Sequence, residues 1–193
     1  MLRRAGGKGN RERGGEYDGV MIRHGRLLGA FAFAALMLVA TGGLGGAEIP
    51  TGGPVDGIRC DTMEGSVLHI HQHLAVLDHG RSVGVPDDVG RPLVAQCFYW
   101  LHTHTPDGII HVESPSFRTF TLGNFFDIWG QPLNRDDVAG ARPKPGERIV
   151  TWVDGHRYAG NPRAIELTQH LDVTLEVGPP YTKPAPFTAW NGN

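Results

Sequence analysis

The tetrapeptide Thr105-Pro106-Asp107-Gly108 is the strongest local instruction in this sequence. Pro at the second position presets φ, and Gly at the fourth suits the exit from a type I turn. On either side lie residues that favour extended backbone, 97–104 (CFYWLHTH) before the turn and 109–113 (IIHVE) after it. A tight reversal here makes a β-hairpin, and the turn sets its register. Thr105 then faces Gly108, His104 faces Ile109 and His102 faces His111. Directly opposed residues hold their Cβ atoms about 5 Å apart on one face. His104 falls diagonal to His111 on that face, and Glu113, two residues further on, shares it. One hairpin is therefore expected to gather His102, His104, His111 and Glu113. A slip of one residue would send His111 to the other side.

Such a cluster has a chemical consequence. Neighbouring imidazoles repel when protonated, which favours the neutral form that metals need. Three His and a carboxylate suit a transition-metal ion such as Zn, Cu(II), Fe(II) or Mn, and lack the soft sulfur that selects Cu(I). Residues 66–78 add to the set. Leu68, Ile70, Leu74 and Val76 alternate with Val67, His69, His71, His73, Ala75 and Leu77, a period of two that marks a strand. Its even positions make the better core face, and its odd face offers His69, His71 and His73 as further metal ligands. Glu64 is another candidate carboxylate. Glu113 has a second role open to it, orienting a histidine rather than ligating. His79 and His156 fall at turns and read as solvent-facing, and His170 reads as structural.

The rest of the chain follows the same pattern of short strands, in keeping with 28 Gly and 14 Pro. Residues 81–85 pair back onto the first strand after a turn at Asp78-His79-Gly80. The stretch 148–158 reads as a hairpin about Asp154-Gly155, and 171–177 alternates as a last strand. One segment changes period. Leu122, Phe125, Phe126 and Trp129 sit at helical spacing between Thr121, a candidate N-cap, and Gly130, a stop. The expected fold is mainly β, an antiparallel sandwich or roll with one short covering helix, with α+β as the alternative. The expected organisation is a basic lead and signal peptide or anchor over 1–47, a linker over 48–65, the β-rich metal-binding domain over 66–180, and a Pro-rich tail over 181–193.

The amino-terminal region points to export. Arg3, Arg4, Lys8, Arg11, Arg13, Arg23 and Arg26 precede the apolar run 27–40 (LLGAFAFAALMLVA), and small residues follow to Gly45-Gly46-Ala47. This is the order of a secretory signal, with Met21 as an alternative start. The strictly apolar part falls short of the roughly 20 residues of a spanning helix, though residues 27–46 together could attach the chain to a membrane. The basic side stays inside and the remainder is exported, to the periplasm, cell envelope or exterior. Cys60 and Cys97 both lie in that remainder. In an oxidising compartment they read as a disulfide, with thiolate ligation as the lesser alternative. Net charge is near neutral, at -2, which excludes nucleic acid as a main partner. Protein partners are left open.

The residues HTHTPDGIIHVESP, followed by TLGNFFDIW, resemble a signature shared by a group of exported bacterial proteins of unassigned function. The resemblance covers roughly the exported domain and implies no activity. The ligand types are also similar to those of cupins, but Glu113 follows the last His of the hairpin, against the cupin order. Three functions stay open at this stage. The first is a metal-binding protein for storage, delivery or sensing. The second is a metal-dependent enzyme, hydrolytic or oxidative, with a three-His site beside a pocket lined by Trp100, Tyr99 and Phe117. The third is a structural domain whose histidines splay apart. No residue is assigned a catalytic role.

Overall fold

The computed structural model describes residues 52–190 and 192. The basic lead and apolar run lie outside the described residues. In chain order the elements are β1 (Cys60–Asp61), β2 (Leu68–Asp78), β3 (Arg81–Val83), β4 (Phe98–Tyr99), β5 (Leu101–His102), β6 (Ile109–Ser114), α1 (Leu122–Trp129), β7 (Ile149–Val153), β8 (His156–Tyr158) and β9 (Leu171–Val177), with a 3-10 turn at Pro162–Ala164 before β9. The fold is mainly β with one short helix, as the alternation and the single change of period lead one to expect.

Strands β5-β6-β2-β9-β7-β8 hydrogen-bond in that order, and β3 pairs with β2. Strand β2 is the axis. β6 runs antiparallel along its first half, Leu68 to His73, and β3 along its end, Val76 to Asp78. β9 lies parallel on its other edge. That parallel pair makes the sheet mixed where an antiparallel one was expected. It joins strands far apart in sequence, a long-range pairing that no local turn signal announces.

The two faces of the sheet differ in kind. Leu74, Val76, Leu101, Ile110, Val112, Val173, Leu175 and Val177 pack into one core with Leu122, Phe125, Phe126 and Ile128 of α1. Burial of each such side chain is worth about 1.5–3 kcal/mol. The helix begins where its cap demands. Thr121 accepts a hydrogen bond from the Asn124 amide, and the Asn124 side chain accepts one from the Thr121 amide, closing a capping box. Gly130 ends it in the left-handed conformation. The opposite face of the sheet carries His102, His111, Glu113, His69, His71, His73, Asp172, Thr174, Glu176 and Trp152.

The extended stretch expected over 97–104 is broken in two. β4 leaves the large sheet to pair with β1, in register Cys60 with Tyr99 and Asp61 with Phe98. Trp100 sits at the bend, its ring buried and its indole N–H donated to Asp61 Oδ2 at 2.8 Å. A disulfide joins Cys60 to Cys97, with Cα atoms 5.3 Å apart, so neither sulfur is a thiolate ligand. The segment read as linker is thereby partly folded: Ile58 bridges to Val55 and is fully buried. The disulfide and the β1–β4 pair tie it down, and hydropathy alone could not show this. The Pro-rich tail lies over the polar face, where the Phe187 ring stacks on His73 at 3.8 Å.

Candidate metal centre

The register decides which side chains meet. β5 and β6 pair Leu101 with Val112 and His102 with His111, as the turn at Pro106-Asp107 dictates. Asp107 tightens that turn by accepting from the Ile109 amide at 3.0 Å. β6 then pairs with β2 so that His71 lies opposite His111 and His69 opposite Glu113. His102, His111 and His71 thus form one row across three strands. The adjacency of the first strand to the hairpin brings the two histidine sets onto one surface.

The rings form a continuous layer. His102 stacks parallel to His111 at 5.7 Å between centroids. His104 meets His111 edge-on at 4.4 Å and His102 at 4.7 Å. On the other side His71 meets His111 at 4.5 Å, and His69 meets His71 at 4.7 Å. Within this layer the donor atoms fall into two sets. His69, His71 and His111 make one; Glu64, His102, His104 and Glu113 make the other. In each, one ligand atom per residue lies within 4.8 Å of all the others. An ion about 2 Å from each donor holds them roughly 3–4 Å apart, so small side-chain rotations complete either set.

Hydrogen bonds fix at least one ring for ligation. The Tyr99 carbonyl lies 2.9 Å from Nδ1 of His102. A carbonyl only accepts, so Nδ1 carries the proton and Nε2 of the neutral ring keeps its lone pair. That Nε2 lies 3.1 Å from Nε2 of His104 and 3.6 Å from Glu64 Oε1. Two further imidazole nitrogens, Nδ1 of His71 and Nδ1 of His111, are buried without a hydrogen-bond partner. A buried polar atom without a hydrogen bond costs roughly 1–3 kcal/mol, and ligation through Nδ1 would recover that cost.

The electrostatics favour neutral rings. Burial disfavours the imidazolium, lowering His71 and His102 to about 4 and His111 to about 3. Neighbouring imidazoles contribute to the lowering of all three. His104 is lowered as well, again first by burial. Glu113 moves the other way: burial, and then the neighbouring Glu64, push its carboxyl up to about 7. Its Oε1 stands 3.1 Å from Nε2 of His69 and 3.6 Å from Nδ1 of His111.

Glu64, on the surface segment before β2, enters the site through a close backbone approach. Gly65 N–H is donated to the Glu113 carbonyl at 3.3 Å and Val67 N–H to the Ser114 carbonyl at 3.1 Å. A Cβ on Gly65 would stand 2.3 Å from the carbonyl carbon of Ser114, so only glycine lets the chain lie this near β6. Gly90 plays the same part behind β5, where a Cβ would come 2.3 Å from the Leu101 carbonyl oxygen.

The remaining histidines are engaged elsewhere. His73 shares the odd face of β2 but stands outside both sets; its Nδ1 bonds Asp172 at 2.8 Å and its ring stacks on Phe187. His79, expected to face solvent, is held between Asp78 at 2.7 Å and Glu147 at 2.8 Å. His156 is exposed at its turn, and His170 packs on Trp190 and contacts Gln169. Phe117 is exposed and lines an open groove of about 470 Å³ with Leu68 and Ile70. Those are even positions of β2, so the groove lies on the face turned away from the histidines. No family model matches this sequence, and no curated protein or solved structure shows significant similarity to it.

Proposed function

We propose that this chain is an exported protein whose β domain binds a transition metal (zinc, copper, iron or manganese) for storage, delivery or sensing at the cell envelope. The observation that carries the reading is the layer of five touching imidazoles with two buried nitrogens lacking a hydrogen-bond partner, Nδ1 of His71 and Nδ1 of His111. A structural role for these rings would call for partners on those nitrogens. The ligands we assign are His69, His71, His102, His104 and His111, with Glu113 and Glu64 as the carboxylates. Nitrogen and oxygen donors of this kind suit borderline divalent ions. The set of four donors can fill a tetrahedral sphere from the protein alone, as structural and binding sites do, whereas the three-histidine set leaves a fourth position open.

The cellular address rests on two features. The basic, apolar, small-residue order of the first 47 residues is that of an export signal. The Cys60–Cys97 disulfide suits an oxidising compartment. Among the described residues no helix is long and apolar enough to cross a membrane, and residues 27–46 are the segment we propose for attachment.

The test is elemental analysis of untagged protein and of His102→Ala and His111→Ala variants, each checked for the intact disulfide and native circular dichroism. We expect native protein to retain metal through desalting and each folded variant to lose most of it. Unchanged metal content in both variants would remove the site.

A further inference from the structure

The two donor sets share one surface and a common neighbour, and from this we propose that the site holds two metal ions side by side, bridged by the carboxylate of Glu113. The proposal rests on the metal-binding reading above and deepens it.

Three observations carry it. First, the donors are too many and too spread for one ion. They resolve into two groups, each compact to within 4.8 Å, whereas the transition ions named here take roughly four to six ligands. Second, Glu113 stands where a bridge must. It belongs to the set with Glu64, His102 and His104. Its Oε1 also lies 3.1 Å from Nε2 of His69 and 3.6 Å from Nδ1 of His111, members of the other set. A carboxylate offers two oxygens, so Glu113 can place one on each ion. Third, the sheet itself fixes the spacing. His111 is the cross-strand partner of both His71 and His102, so the sets occupy adjacent strand pairs. Neighbouring strands lie about 4.8 Å apart, close to the roughly 3.5–4 Å that separates the ions of two-metal sites. Burial of Glu113 also makes sense on this account, because two cations would stabilise a carboxylate that loss of water penalises.

The experiment is copper(II) loading of the full chain, desalted, with copper counted by elemental analysis and the spins examined by electron paramagnetic resonance. We expect two copper ions per chain and a half-field transition from two close spins. A His69→Ala/His71→Ala variant should halve the copper content to one and give an ordinary isolated signal. Glu64→Ala/His104→Ala should do the same from the other side. Glu113→Gln should weaken the half-field transition and lower the retained copper, since the amide cannot bridge as an anion. Saturation at one copper in the native chain would overturn the two-ion proposal and leave the metal-binding reading standing. No retained copper would overturn both. Two ions without a half-field transition, or copper content and transition intensity both unchanged in Glu113→Gln, would overturn the bridge. Native circular dichroism of each variant separates loss of a ligand from loss of the fold.

Discussion

Acidifying the metal-free domain from pH 6.5 to pH 4.5 should cost it stability, because the unfolded chain takes up protons that the buried histidines refuse. His71 and His102 are lowered to about 4 and His111 to about 3, against an ordinary value near 6.5 in the unfolded chain. Their contribution is therefore complete above pH 6.5 and is lost as the pH falls toward the folded values. Glu113 acts in the opposite sense. Its carboxyl, raised to about 7, holds a proton in the fold that the unfolded chain has released, and this contribution fades as the pH rises through 7. Near pH 5.5 the three histidines bind roughly 2.6 more protons unfolded than folded, and Glu113 about 0.9 fewer. The net slope is then about 2 kcal/mol per pH unit, a large part of the 5–15 kcal/mol that typically holds a domain together. His104, lowered in the same direction, adds to it. Urea unfolding followed by tryptophan fluorescence, in chelator across this range, reads the slope directly. Glu113→Gln should steepen it by removing the opposing group. A denaturation midpoint that stays level or rises on acidification would refute the reasoning, since it would mean that these rings are solvated.

Further expectations concern the parts that shape the site. Gly65→Ala puts a methyl against the Ser114 backbone, so it should cost about 1–3 kcal/mol and weaken metal retention by displacing Glu64; thermal melts and elemental analysis check both. Replacing Cys60 and Cys97 together by Ser opens a cross-link between residues 37 apart, with an expected loss of about 4 kcal/mol in the chain-entropy model, measured by denaturant unfolding against the native protein. His73→Ala should leave the metal content unchanged, because His73 bonds Asp172 and stacks on Phe187, and should instead speed amide exchange in the tail around Phe187. Thr121→Ala removes the helix cap for about 1 kcal/mol and should lower the melting temperature with no effect on metal.

Local chemistry made much of this molecule legible. Pro106 and Gly108 fixed the hairpin register that sets His102 against His111, and Thr121 and Gly130 bracketed the helix. What stayed hidden was non-local. The pairing of β2 with β6 joins His71 to His111, and the parallel seat of β9 joins His73 to Asp172. Neither leaves a mark in periodicity, because either edge of β2 offers the same unpaired amides and carbonyls. The odd face of β2 was correct as a unit, yet its members part company: His69 and His71 join the layer while His73 turns to β9. Glu64 was visible only as a carboxylate near Cys60. Its clearest signal was the adjacent Gly65, whose missing side chain permits the close approach to β6. The break at Trp100 escaped the strand pattern because aromatic and apolar residues continue through it, and the β1–β4 pair with its disulfide imposes the bend.

The most direct check is an anomalous difference map from crystals of the protein loaded with zinc, with data on either side of the zinc edge. The expected density lies within the imidazole layer, at the set of His69, His71 and His111 or that of Glu64, His102, His104 and Glu113 or both, within about 2.2 Å of histidine nitrogens. Zinc bound only at outlying residues such as His156, or density absent from the imidazole layer in crystals that diffract well, would contradict the assignment.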